Sequence, residues 1–277
     1  MRYQKVMIKT KNTEAELTLY LLDNFPAIDM ERTRPTILIC PGGAYRIVSE
    51  REGEPIAMQM LAQGFQAAVL RYNVAPTRFP NALAEAACSI AHLREHAKEY
   101  GVNPEKIIMA GFSAAGHLTA SLGVFWQEEW LKEYTGYAPE QVKPNGLILS
   151  YPVITSGEYA NTGSFKNLLG QDATEEQREY VSVEKRVTKN VPPCFIWHTM
   201  ADPAVPVENS LMFASALRKA GVKFELHIFP QGAHGLALAT EETAPYGCGN
   251  FDPKTELRPE CAEWIRLAAR FVKEELE

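Results

Sequence analysis

Residues 107–116 join an apolar run, Ile-Ile-Met-Ala, directly to Gly111-Phe112-Ser113-Ala114-Ala115-Gly116, and a helical pattern of apolar residues follows. A strand that passes into a helix through one residue can be built in few ways. The bend is so sharp that a large side chain two positions either side of it would collide with the strand or the helix, and Gly111 and Ala115 meet that demand. Such a turn presents its central side chain at the edge of a sheet, where a serine can act as a nucleophile. Ser113 is the candidate. The competing reading makes it the N-cap of the helix that begins at Ala114, whose leading N–H groups a serine hydroxyl can satisfy.

The rest of the chain supplies a sheet for this turn to stand on. From residue 36 onward, compact apolar runs at 36–40, 67–70, 107–110, 147–150, 194–198 and 224–229 alternate with helical stretches at 55–63, 80–100, 114–127, 207–220 and 259–275. That alternation predicts βαβ units around a buried, mostly parallel sheet with helices on both faces. Residues 5–10 and 15–22 read as an antiparallel hairpin at its edge. Two segments break the pattern. Residues 156–190 are long and polar between two core strands, which predicts a small lid or insertion over the C-terminal edge of the sheet; residues 240–258, with Pro245, Gly247, Gly249 and Pro253, predict an extended loop. The expectation is a single α/β domain over residues 1–277.

Composition narrows the partners. With 46% apolar and 22% charged residues the chain has the makeup of a globular domain, and a net charge of −6 gives no footprint for nucleic acid. Five scattered cysteines without metal-ligand or redox spacing predict reduced thiols, and no apolar run approaches the length of a membrane span or signal-peptide core. These features predict a cytoplasmic protein without membrane contact; a homodimer is left open.

Three further constellations sit at predicted strand ends. Residues 38–45 end an early strand in Pro41-Gly42-Gly43-Ala44, a turn whose N–H groups, with that of Ala114 at the start of its helix, could face a developing oxyanion. Gly43, Ala44 and Ala114 are the candidate donors; a plain glycine turn is the alternative. Asp202 follows the run Cys194-Phe-Ile-Trp-His-Thr and precedes a proline-rich turn, so it reads as either an acid at the sheet edge or a turn residue. His234 lies in Gly232-Ala-His-Gly235 just past the last predicted strand, where a neutral imidazole could take a proton from a neighbouring serine. The order Ser113, Asp202, His234 is that of the strand-turn-helix nucleophile in this kind of sheet.

The other histidines fit the chemistry less well. His92 and His96 have metal-ligand spacing without a third ligand nearby, His117 sits too deep in the helix after Ser113 to serve as base, His198 ends a strand as a structural or pocket residue, and His227 lies within a strand. Tyr45, Tyr151 and Phe251 are the aromatic side chains nearest the motifs, each either a pocket wall or core packing.

With Pro41-Gly42-Gly43-Ala44-Tyr45, Leu70-Arg-Tyr-Asn73, Gly111-Phe-Ser-Ala-Ala-Gly-His-Leu118, Trp197-His-Thr-Met-Ala-Asp202 and Gly232-Ala-His-Gly235 in order, the chain resembles bacterial acetyl-xylan-esterase-like carboxylesterases of the α/β-hydrolase superfamily. The resemblance spans residues 34–275. It implies nucleophile Ser113, acid Asp202, base His234, an oxyanion hole at Gly43, Ala44 and Ala114, no cofactor or metal, and a small-molecule ester such as an acetylated oligosaccharide as substrate. Ala44 and Ala115 depart from the glycines common in such enzymes; each keeps its N–H, and Ala44 is strained if its φ is positive. A peptidase or amide hydrolase using the same three groups is the rival activity, and a non-catalytic ligand-binding protein of the same fold is the rival class.

Overall fold

The computed structural model describes residues 1–249 and 251–276. Eight strands form one sheet: β1 (Arg2–Lys9), β2 (Glu14–Leu21), β3 (Arg34–Cys40), β4 (Gln66–Arg71), β5 (Val102–Phe112), β6 (Gly146–Ser150), β7 (Cys194–Thr199) and β8 (Phe224–Phe229). Their order across the sheet is β1-β2-β4-β3-β5-β6-β7-β8. β1 and β2 make the expected antiparallel hairpin, β2 runs antiparallel to β4, and every pair from β4 to β8 is parallel. This is the α/β-hydrolase fold.

The parallel strands are apolar on both faces because helices cover both. In β3, Leu38 and Cys40 point into one core layer and Ile37 and Ile39 into the other, the period-two alternation of a pleated strand. Helices Asn81–Glu95, Ala114–Phe125 and Glu208–Ala220 pack on the first layer; Glu54–Ala62 and Trp264–Glu274 pack on the second. The expected helix at 80–100 divides at His96, whose backbone leaves the helical region and whose Nδ1 bonds to the carbonyl of His92. Among the described residues no helix is long and apolar enough to cross a membrane.

Topology fixes where a ligand can sit. The chain runs from β3 to β4 on one side and then returns to place β5 on the other side of β3, so the connections leaving β3 and β5 diverge and open a crevice at their carboxyl ends. The register Cys40↔Gly111 sets the glycine turn after β3 directly beside the turn after β5.

Candidate active site

The bend after β5 is held by sterics and by its neighbour. Ser113 adopts φ 54°, ψ −119°, the strained conformation that a one-residue strand-to-helix turn requires. A Cβ on Gly111 would fall 2.0 Å from the carbonyl oxygen of Ala115, and one on Gly116 would fall 2.5 Å from Pro152 Cβ, so both glycines allow helix Ala114–Phe125 to approach the sheet. Two bonds pin the serine itself: its N–H donates 2.9 Å to the carbonyl of Ser150, and its carbonyl accepts from Val153 at 3.0 Å. The Ser113 side chain makes no N-cap bond; its hydroxyl points at His234 instead.

A chain of short bonds follows. Ser113 Oγ lies 2.7 Å from His234 Nε2, and His234 Nδ1 lies 2.7 Å from Asp202 Oδ2. The Asp202 side chain is buried, and burial opposes its ionisation. Hydrogen bonds from His198 and His234, together with the backbone N–H of Val205, overcome that opposition and hold its carboxyl well below the usual carboxylate range. Its other oxygen, Oδ1, accepts from the N–H groups of Ala204 and Val205 at 2.8 and 2.9 Å. An ionised Asp202 only accepts, so the imidazole proton sits on Nδ1 and Nε2 is left to accept from Ser113.

Residues from both sides of the crevice meet this chain. Gly43, Ala44 and Tyr45 have φ of 127°, 56° and 54°, so the turn after β3 winds left-handed for three residues and closes with Arg46 and Ile47 donating to the Gly43 carbonyl. Ala44 therefore carries the strain anticipated for a positive φ. The N–H groups of Gly43 and Ala44 have no acceptor among the described residues, and that of Ala114 stands in the first helical turn, where the helix supplies none. All three flank Ser113, since Gly43 and Ala44 line its cleft and Ala114 follows it in the chain.

The cleft holds about 360 Å³ and is also lined by Arg46, Ile47, Arg51, Glu52, Asn161 and Ser164. Asn161 and Ser164 belong to the 156–190 segment, which contains helices Thr162–Leu169 and Glu175–Tyr180; Asn167 braces the glycine turn by donating to the Ala44 carbonyl at 2.8 Å. The 240–258 loop approaches from the opposite side, with Thr255 accepting from the Ala233 N–H at 3.0 Å; Asn250 of that loop lies outside the described residues.

Three expectations are corrected. Tyr45 and Tyr151 do not line the cleft: they are 3% and 1% exposed, with their hydroxyls engaged inside the protein. Tyr45 bonds to His117 Nδ1 at 2.9 Å, and Tyr151 donates to Glu52 at 2.7 Å while its ring packs edge-on against His234 at 5.2 Å. A phenol next to a strand end is drawn into the core whenever a buried acceptor is within reach, and each has one. Phe251 packs on Tyr246 and is not part of the cleft wall.

The histidines divide as their positions suggest. His117 is buried under the turn, donates to the Val181 carbonyl at 2.8 Å, and has its pKa lowered by burial to about 4. His92 bonds to the Tyr100 hydroxyl and packs tilted against His96, and among the described residues no cluster of three or more acidic, histidine or cysteine side chains could hold a metal. His227 pairs with Glu225. His198 is more than a strand-end residue: its Nε2 lies 3.0 Å from the Val205 carbonyl and 3.3 Å from Asp202 Oδ2, which makes it the acid's second imidazole neighbour. Glu52 is the other site residue the sequence did not single out. It falls between the glycine turn and a helix, where an acid ordinarily reads as solvated, and only the tertiary structure buries it.

Comparison with known proteins agrees with this fold. The BD-FAE family model matches residues 22–217. The chain is 40% identical over 214 residues to an endo-1,4-beta-xylanase B of Butyrivibrio fibrisolvens, covering 76% of this chain and 33% of that protein. It is 29% identical over 206 residues to an acetylxylan esterase of Xylanibacter ruminicola, covering 72% and 40%. The chain thus spans well under half the length of these two relatives. Among solved structures it is similar to an acetyl ester-xyloside bifunctional hydrolase from Caldicellulosiruptor lactoaceticus, with 33% identity, a TM-score of 0.79, and coverage of 96% of this chain and 89% of that one.

Proposed function

The chain belongs to the BD-FAE family, and on that premise we propose that it is a serine carboxylic-ester hydrolase that removes short acyl groups, acetyl above all, from sugars. The observation that carries the reading is the unbroken bond chain from Ser113 through His234 to Asp202, set beside N–H groups that have no acceptor among the described residues.

In this mechanism Ser113 gives its proton to His234 Nε2 and attacks the ester carbonyl, forming a tetrahedral intermediate. The N–H groups of Gly43, Ala44 and Ala114 receive the oxyanion, and the ionised Asp202 stabilises the imidazolium that forms. His234 returns the proton to the departing alcohol. Water, deprotonated by the same imidazole, then releases the acyl group from Ser113. No step calls for a metal or organic cofactor.

The polar cleft wall supports a hydroxyl-rich alcohol. Asn161, Ser164, Arg46 and Arg51 make much of that wall polar, and among the described residues Ile47 is the only large aliphatic side chain in it. The acetyl-sugar assignment also draws on the acetylxylan esterase and the acetyl ester-xyloside hydrolase that the chain resembles.

The test is hydrolysis of nitrophenyl acetate, butyrate and octanoate and of acetylated xylo-oligosaccharides, with the matched nitroanilide as the amide control. Preference for acetate, release of acetic acid from the saccharide, and collapse of both in Ser113→Ala and His234→Ala are expected. Ester turnover that survives Ser113→Ala would sink the mechanism; turnover of the anilide at the ester's rate would replace the esterase with an amidase.

A further inference from the structure

We propose that Glu52 is a positioning residue that locks the oxyanion turn and the imidazole loop into one rigid unit through Gly42 and Tyr151; this rests on the hydrolase reading above. Glu52 is 3% exposed, yet it stands in the wall of the cleft that holds Ser113 and His234. Neither its oxygens nor its position fit a solvated surface acid.

Each oxygen of the carboxyl holds a different segment. Oε2 accepts from the N–H of Gly42 at 2.8 Å, and Oε1 accepts from the Tyr151 hydroxyl at 2.7 Å. The Tyr151 oxygen in turn accepts from the N–H of Ala237 at 2.9 Å, three residues beyond His234, and the Ala237 carbonyl is tied to Trp264 Nε1 at 2.8 Å. One line of bonds therefore runs from the residue before Gly43 to the loop that carries the imidazole. Tyr151 is suited to this donor role because burial, followed by the nearby Glu52, raises its pKa well above that of an ordinary phenol.

The contact around Gly42 is tight. A Cβ there would fall 2.7 Å from Glu52 Oε2, 2.6 Å from the Phe112 carbonyl and 3.1 Å from Ser113 Cβ, so the Gly42 backbone is wedged between the carboxylate and the serine. The segment that carries Glu52 also grips the other side of the same residue: Ser49 donates to the Gly42 carbonyl at 2.9 Å, and Glu52 donates to the Ser49 carbonyl at 3.2 Å.

Backbone strain gathers on this network. Ala44, Tyr45, Ser113, Tyr151 and Ala237 all have positive φ, between 38° and 56°. Such conformations persist where surrounding bonds over-determine them, and Glu52 bonds directly to Tyr151 and to the turn that carries Ala44 and Tyr45. Among the described residues it has no cationic partner within salt-bridge distance, so these donors, not a counter-charge, balance it.

The experiment compares wild type, Glu52→Gln, Tyr151→Phe and the double variant on nitrophenyl acetate, with Tm and the rate of Ser113 labelling by a fluorophosphonate. A shift of about 1 Å in catalytic groups costs on the order of 100-fold in rate. Glu52→Gln is therefore expected to lose roughly 10- to 100-fold in kcat with KM held within about threefold, and labelling should slow in parallel. Because the two residues act in one line, the double variant should fall no further than the worse single. A folded Glu52→Gln with wild-type kcat, or losses that multiply in the double variant, overturns the proposal. If Glu52→Gln does not fold, Tyr151→Phe decides: kcat lowered at constant KM supports the link, and unchanged kcat refutes it. A wild type that neither hydrolyses the ester nor labels at Ser113 would instead remove the hydrolase reading itself.

Discussion

His117 makes the stability of this protein depend on pH in a way that can be worked out from its surroundings. Its ring is buried beneath the glycine turn, with Nε2–H donating to the Val181 carbonyl and Nδ1 accepting from the Tyr45 hydroxyl. Burial lowers its pKa from 6.5 to about 4. Between those values the unfolded chain binds a proton that the folded chain refuses, so stability rises with pH across the window. The penalty is absent above about pH 7 and reaches about 3 kcal/mol as pH falls to about 4, since a tenfold difference in proton affinity between the folded and unfolded chain is worth about 1.4 kcal/mol. By pH 5 roughly 2 kcal/mol of stability is already lost.

Urea denaturation at pH 7.5, 6 and 5 measures this. His117→Gln is the control, because an amide can donate to Val181 and accept from Tyr45 but does not titrate in this range. The variant starts less stable at pH 7.5 through lost packing against Phe165, and it should then show a flatter pH dependence than wild type by about 2 kcal/mol at pH 5. Acidic groups contribute to both proteins alike and cancel in the difference. Parallel pH profiles for wild type and variant would refute the reasoning.

Two further outcomes follow from the site's geometry. Gly111→Ala places a methyl 2.0 Å from the Ala115 carbonyl and 2.2 Å from Thr119 Oγ1, where backbone would have to move; a loss of about 3 kcal/mol or more in urea denaturation is expected, and a fold of wild-type stability would show that the strand and helix are not in such close contact. Asp202→Asn keeps an oxygen for the Ala204 and Val205 N–H groups but removes the charge that fixes the His234 tautomer, so kcat on nitrophenyl acetate should drop about 10³- to 10⁴-fold with little change in Tm. A drop smaller than tenfold would count against Asp202 as the acid.

Much of the fold is legible along the chain because its signals are local. Apolar runs of strand length separated by helical stretches give a buried parallel sheet, and the hairpin at the N-terminus shows as two polar-punctuated runs. Boundaries are less legible. β5 begins at Val102 rather than near 107 because Val102 pairs with Arg34 across the sheet, a contact that no window of sequence contains. The helix at 259–275 likewise breaks between Ala262 and Trp264, with Glu263 as the joint.

For the site, the order of residues alone settles which groups are available and at which strand ends they stand: a serine in a bend that only small neighbours permit, an acid and a histidine after later strands, and a glycine turn after an early one. Each of these follows from backbone sterics or turn chemistry within a few residues. Which groups meet is a matter of how the chain closes on itself. Folding brings Ser113, His234 and Asp202 within hydrogen-bond distance across 121 and 32 residues of chain, gives Asp202 a second imidazole in His198, and draws Tyr45 and Tyr151 out of the cleft into the core. It also buries Glu52 between two segments, the farther of them 99 residues away at its Tyr151 bond. Burial and long-range pairing depend on sheet order and register, which sum over the whole chain, and a buried acid and a surface acid are spelled with the same letter.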